Sequence, residues 1–91
     1  MPRKTPLRKI LLTATAREDL EYWERNNPKI IAKINAILAS ILLDPQRGIG
    51  KPEKLKFELA GLWSRRINQR DRIVYEVRDN TIIVLQLRDH Y

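Results

Sequence analysis

The sequence predicts an α+β fold, with two N-terminal helices packed on a largely antiparallel sheet. Two observations carry this prediction. The apolar residues change period once, at Asp44–Pro45, from helical spacing before it to short branched and aromatic runs after it. The elements run strand, two helices, then several strands, the order in which helices gather on one face of a sheet. A chain of 91 residues makes one such domain. It is read as a single unit over 1–91, with 1–8 a flexible basic extension.

Arg8 to Ala14 reads as the first strand, centred on Ile10, Leu11 and Leu12. Thr15 and Glu18 have the spacing of a capping box and open a helix that carries Leu20, Tyr22 and Trp23 and ends near Asn26. Asn27–Pro28 then supplies an N-cap and a first helical residue for a second helix. Its apolar stripe is Ile30, Ile31, Ile34, Ile37, Leu38, Ile41 and Leu42. Asp44–Pro45 stops it, because proline disfavours a helical residue before it. A glycine-containing loop follows from Gln46 to Glu53. Leu55 to Leu59, Trp63 to Ile67, Arg72 to Val77 and Thr81 to Leu87 read as strands, with a tight hairpin turn at Asp79–Asn80.

The composition closes several routes. No cysteine is present, so disulfides and thiolate metal sites are excluded. The single histidine, His90, cannot build a His-rich metal centre. No carboxylate cluster suits magnesium, so no metal or cofactor is expected. No apolar run approaches the roughly 20 residues of a membrane span. The basic N-terminus lacks the apolar core of a secretory signal, which predicts a cytoplasmic protein with no membrane partner.

The formal charge of +7 is unevenly spread. The first helix is acidic, with Glu18, Asp19, Glu21 and Glu24 against Arg17. Arg47, Lys51, Lys54, Lys56, Arg65, Arg66, Arg70 and Arg72 crowd the second half. Arginine presents a planar fork that matches phosphate, so this half reads as a nucleic-acid surface.

RNA carries its own nucleophile, the 2′-hydroxyl. Cleavage needs a base for that proton, an acid for the leaving 5′-oxygen and cations for the phosphoryl charge. The basic half holds one candidate of each kind: Glu53 as base, His90 as acid, and Arg65, Arg66 and Arg72 as phosphate ligands. Lys51, Lys54 and Lys56 surround Glu53, and Tyr91 offers a ring for stacking on a base. Each has a plainer reading. Glu53 also reads as an offset to its lysines, and a histidine one residue from the end as an exposed terminus. Trp63 and Tyr75 read as core, and Arg88 with Asp89 as a surface pair. These residues alone define a basic α+β domain that binds RNA, with nuclease chemistry open.

Several motifs, in order, resemble those of the YoeB/Txe toxins of type II toxin–antitoxin modules, a branch of the RelE/ParE superfamily. They are Asn27-Pro28-Lys29, Lys33-Ile34-Asn35, Gly48-Ile49-Gly50-Lys51-Pro52-Glu53, Leu59-Ala60-Gly61-Leu62-Trp63-Ser64-Arg65-Arg66-Ile67, Arg72-Ile73-Val74-Tyr75 and the closing His90-Tyr91. Trp23 also fits, and the likeness runs from about Ile10 to the end. It implies a RelE-like fold related to small microbial RNases, and cleavage of mRNA in the ribosomal A site. It also implies a cognate antitoxin as partner; a homodimer is compatible with it. By this likeness Glu53 is the general base, Arg72 the phosphate ligand, His90 the general acid and Tyr91 a further active residue, with Lys56 and Arg66 beside them. Two positions depart from the pattern: Asp71 stands where a histidine is frequent, placing a negative charge beside Arg72, and Leu87 where a cysteine is usual.

One geometric condition follows from the hairpin. A two-residue turn pairs Arg78 with Thr81, hence Arg72 with Leu87, and strict alternation sends His90 to the face opposite Arg72. A shared site requires a longer turn, a bulge, or a chain that leaves the sheet after Leu87. Two other function classes remain in view. ParE-like toxins are similar in fold but inhibit DNA gyrase by binding, and a plain RNA-binding module needs neither base nor acid.

Overall fold

The computed structural model describes residues 8–89. Eight elements follow in chain order: β1 (Lys9–Leu12), α1 (Ala14–Asn26), α2 (Ile30–Leu43), β2 (Glu53–Lys54), a 3₁₀ turn (Phe57–Leu59), β3 (Leu62–Arg66), β4 (Arg72–Arg78) and β5 (Thr81–Gln86). The five strands form one sheet in the order β1-β5-β4-β3-β2. β1 runs parallel to β5, and the other three pairings are antiparallel. The α+β reading holds.

The apolar stripe of α2 buries Ile34, Ile37 and Ile41 against Ile67, Ile73, Tyr75, Ile82, Val84 and Leu87 of the sheet side, with Ala16 and Trp23 from α1. Full burial of one such side chain contributes roughly 1.5–3 kcal/mol, so this face of α2 is what holds the helix to the sheet. Among the described residues no helix lies on the opposite face of the sheet, the open face.

Four local expectations are corrected. Thr13, not Thr15, caps α1: its hydroxyl accepts from the Ala16 N–H at 3.1 Å. Thr13 is held there by β5, donating its N–H to the Val84 carbonyl and its hydroxyl to the Leu85 carbonyl. Asn27 closes α1 instead of opening α2, because its N–H is taken by the Trp23 carbonyl at 2.9 Å. Pro28 and Lys29 form the turn before α2. The strand expected over Leu55 to Leu59 does not form: strand pairing with β3 covers Glu53–Lys54 just before it, the Leu55 N–H still reaches the Leu62 carbonyl at 2.9 Å, and Phe57 then turns to φ +58 and begins the 3₁₀ turn. Arg8, the last residue of the expected extension, is anchored: its guanidinium donates to the Leu42 carbonyl at 2.9 Å and the Leu43 carbonyl at 3.2 Å. It thereby satisfies carbonyls that the end of α2 leaves open. The rest of that extension lies outside the described residues.

The hairpin between β4 and β5 has the two-residue turn, with Arg78 opposite Thr81. A bulge then intervenes. Tyr75 lies opposite Val84, but Val74 lies opposite Gln86, so one extra residue on β5 shifts the register. The bulge is pinned by the Thr13 hydroxyl on the Leu85 carbonyl. Gln86 consequently shares the face of Val74 and Arg72.

Candidate active site on the open sheet face

Antiparallel partners share a face, so the pairing register sorts the basic residues directly. Glu53 lies opposite Ser64, Ser64 opposite Val74, and Val74 opposite Gln86; the neighbouring row is Arg66 opposite Arg72. Glu53, Arg66 and Arg72 therefore fall on the open face. The Cα atoms of Glu53 and Arg72 are separated by two strand spacings and one pleat repeat, about 12 Å, which leaves room between two long side chains for a phosphodiester. Glu53 and Arg66 are exposed and Arg72 is half-buried. Among the described residues, none of the three side chains makes a hydrogen bond or ion pair with another group of the chain. A carboxylate and two guanidiniums converge on a common face with their donors and acceptors uncommitted.

The other expected ligands divide. Lys51 is exposed just before β2, and Lys56 is exposed at the start of the 3₁₀ turn. Lys54 lies opposite Trp63, so alternation sends it to the helix side of the edge strand, away from Glu53.

Arg65 is not a phosphate ligand. It is fully buried, in phase with Tyr75 and Ile73 on the core face. All five of its N–H donors are used within the chain. Nε donates to the Tyr75 hydroxyl at 3.2 Å, Nη1 to Ser40 Oγ at 2.7 Å and the Ile49 carbonyl at 3.1 Å, and Nη2 to the Asp44 carbonyl at 2.6 Å and the Arg47 carbonyl at 3.0 Å. The four acceptors of Nη1 and Nη2 lie at the C-terminal end of α2 and in the loop after it, where the helix dipole favours a cation. Arg65 thus fastens the loop that delivers Lys51 and Glu53 to the sheet. Gly48 permits the contact: a Cβ there would sit 2.1 Å from Ser40 Oγ and 2.8 Å from Arg65 Nη1. The Tyr75 hydroxyl donates onward to the Pro45 carbonyl at 2.6 Å. Burial raises the Tyr75 pKa above its ordinary 10.0, against a smaller opposing effect of Arg65.

His90 and Tyr91 lie outside the described residues. The segment leading to them is held at every residue. Leu87 donates its N–H to Asp19 Oδ2 at 2.9 Å and accepts from Trp23 Nε1 at 2.8 Å. Asp19 and Trp23 are one helical turn apart on α1, so a single helix face grips both backbone polar groups of one residue. The Arg88 guanidinium sits 3.5 Å above the Tyr22 ring, and its carbonyl accepts from Gln86 Nε2. Asp89 donates its N–H to Asp71 Oδ1 at 2.9 Å, and its carboxylate lies 4.0 Å from Arg70. Arg88 and Asp89 therefore do not form the surface pair expected of them. Asp71 faces Asp89 and the Asn68 amide with its two oxygens, and makes no ion pair with Arg72 among the described residues. The holding roles of Asp19 and Asp71 are not among those read from the sequence. The only signal for either was that each carboxylate falls beside the apolar phase of its element.

The chain is similar to known proteins over most of its length. A family model described as a YoeB-like toxin of bacterial type II toxin–antitoxin system matches residues 12–91. The chain is 41% identical over 83 residues to a protein named Toxin YoeB from Streptomyces coelicolor, covering 91% of this chain and 99% of that one. It is similar in structure to the toxin of a heterotetrameric YoeB–YefM toxin–antitoxin complex from Staphylococcus aureus, with TM-score 0.84 and 44% identity over 96% of this chain and 100% of that one. A YoeB dimer from Staphylococcus aureus gives TM-score 0.85 and 44% identity over 94% of this chain and 100% of that one. Among the described residues no helix is long and apolar enough to cross a membrane.

Proposed function

Because the chain belongs to the YoeB-like toxins of bacterial type II toxin–antitoxin systems, we propose that it is a ribosome-dependent endoribonuclease that cuts mRNA in the ribosomal A site without a metal. It acts in the cytoplasm and is neutralised by a cognate antitoxin. The observation that carries this reading is the register that gathers Glu53, Arg66 and Arg72, uncommitted, on one face of the sheet. A module that only binds RNA has no use for a carboxylate amid its phosphate ligands, where it repels the substrate.

In the proposed reaction Glu53 accepts the proton of the 2′-hydroxyl, and the 2′-oxygen attacks the adjacent phosphorus. The bond from phosphorus to the 5′-oxygen breaks, and His90 gives that oxygen its proton. The products are a 2′,3′-cyclic phosphate and a free 5′-hydroxyl, so protons and charge balance. Arg72 and Arg66 offset the charge that grows on the non-bridging oxygens, usually the largest contribution to such catalysis. The β5 bulge supports the participation of His90, because it removes the parity objection that an unbroken hairpin raises. Tyr91 is assigned a stacking contact, and Lys51 and Lys56 flanking phosphate contacts. The antitoxin is expected to cover Arg66 and Arg72; Arg65 is inaccessible to it.

The test uses a translation extract and a message with a 2′-deoxy substitution at the scissile nucleotide. Cleavage of the all-ribose message and none of the substituted one is expected. Equal cutting of both rules out the 2′-hydroxyl mechanism. Loss of DNA supercoiling by gyrase with no message cleavage supports the ParE-like alternative instead.

A further inference from the structure

A concavity of about 410 Å³ lies beside the candidate site, between the N-terminal half of α2, the loop before β2 and the turn after β3. This is at the small end of the roughly 300–1,000 Å³ typical of ligand sites. Its apolar wall is formed by Ile37, Ile49 and Ile67, of which Ile49 is 52% exposed. Lys33, Lys51 and Arg66 line it as well, and no acidic residue does. Three cations around an apolar wall suit a ligand with a flat apolar body and an anionic end.

Two further observations narrow the ligand. Arg66 at the end of β3 lines the concavity and lies opposite Arg72 of the candidate site, so the two places have one residue in common. Two amides lie at its rim, and only one is available. Asn68 is committed, donating to Asp71 Oδ2 at 3.0 Å and accepting from the Arg70 and Asp71 N–H groups at 2.8 and 2.7 Å. Gln69 is exposed, and its side chain has no partner among the described residues.

We propose that this concavity is a nucleotide subsite for the RNA residue next to the scissile phosphate. The inference rests on the reading of the open face as an RNA-cleaving site and adds its neighbouring contact. The base lies against Ile49 with Ile37 and Ile67 beneath, as apolar side chains pack on an unstacked base. Lys33 and Lys51 meet its phosphate, and the Gln69 amide meets a base edge. Lys33 thereby becomes an RNA ligand contributed by α2.

The test needs neither ribosome nor cleavage. The full-length toxin with isotope-labelled isoleucine methyls is titrated with each 5′-mononucleotide, with the matching nucleoside and with inorganic phosphate. The methyls of Ile37, Ile49 and Ile67 should shift with the nucleotide, less with the nucleoside, and not with phosphate. Lys33→Ala should weaken nucleotide binding about two- to fivefold, the range for one exposed charge contact, and Lys33→Arg should restore it. An unchanged methyl spectrum in the free variant shows that the fold is kept. Three results overturn the proposal: isoleucine methyls that stay silent while amides around Arg66 and Arg72 shift, equal methyl shifts with phosphate alone, or unaltered binding by Lys33→Ala. The first of these leaves the cleavage reading standing, because the 2′-deoxy experiment decides that separately.

Discussion

Asp71 Oδ1 accepts a hydrogen bond from the backbone N–H of Asp89 at 2.9 Å, tying the residue just before β4 to the residue that precedes His90. Asp71 is nearly buried, and its other oxygen is held by the Asn68 amide at 3.0 Å. A charge adjacent to Arg72 in sequence is thus committed to positioning the C-terminal segment. Together with the grip of Asp19 and Trp23 on Leu87, it fixes the point from which His90 and Tyr91 depart.

Asp71→Ala is expected to lose about 1–3 kcal/mol of stability, the usual cost of breaking hydrogen bonds to a charged, buried acceptor. Cleavage should fall further than stability alone explains, because a loosened segment delivers the acid less often. Asp71→Asn keeps an acceptor for Asp89 and should recover most of the rate. The direct readout is hydrogen exchange at the Asp89 amide: faster in Asp71→Ala, near wild type in Asp71→Asn. Unchanged exchange in Asp71→Ala shows that the anchor lies elsewhere.

Arg65 and Arg66 are neighbours with opposite duties, and substitution should separate them. Arg65→Met leaves Ser40 Oγ, the Tyr75 hydroxyl and three loop carbonyls without their donor. A loss of roughly 3–5 kcal/mol is expected, as when one partner of a buried charged network is removed. Arg66→Met alters an exposed side chain and should change stability by less than about 0.5 kcal/mol while weakening cleavage. Urea midpoints for the two variants, set beside their single-turnover rates, test the assignment. A stable Arg65→Met protein contradicts it.

That pair also shows how far the sequence can be read. The double arginine looked like one phosphate clamp because both residues are charged. Strand alternation already separates them: Arg65 is in phase with Trp63 and Ile67, and Arg66 with Ser64. On this strand the period, not the charge, decides which arginine is buried and which is exposed. The α2 stripe, the Asp44–Pro45 stop and the Asp79–Asn80 turn were readable because each is set by local chemistry. The β5 bulge, the Thr13 cap and the Asp71–Asp89 contact were not. Each depends on a partner distant in sequence: Thr13 on Leu85, and Asp71 on Asp89, 18 residues away. Strand residues with uncommitted side chains, such as Glu53 on β2 and Arg72 on β4, can be assigned from motif and register. Residues whose role is to hold others emerge only when the fold brings them together.

Tyr75 gives a pH prediction. Burial raises its folded pKa above the ordinary 10.0, so the folded state holds the proton more tightly than the unfolded chain. The stability tied to this protonated hydroxyl is complete below pH 10.0 and is lost as the pH rises through the folded value. At neutral pH, Tyr75→Phe should be the less stable protein, because the bonds to the Pro45 carbonyl and from Arg65 are gone. Taking both proteins above pH 10.0 should narrow the difference, since only the wild type has this group to ionise. A gap between the urea midpoints that stays constant across that range contradicts the assignment.

The proposed acid can be separated from a mere contact. His90→Gln keeps a polar side chain of similar reach but cannot give up a proton at neutral pH. Arg66, Arg72 and the lysines that attract RNA are untouched, so ribosome binding should stay near wild type. The single-turnover rate at saturating ribosome should fall by roughly 10²–10⁴-fold, the usual effect of losing an acid–base group. A message whose scissile 5′-oxygen is replaced by sulfur tests the step itself. A thiolate departs without protonation, so this substrate should restore much of the rate to His90→Gln. It should do little for Glu53→Gln, whose defect lies in activating the 2′-hydroxyl. Rescue of both variants equally would falsify the division of labour, because neither residue would then act at one end of the reaction. A normal rate in His90→Gln with the natural message would show instead that the acid is another group, and that the anchored segment from Leu87 to Asp89 serves binding alone.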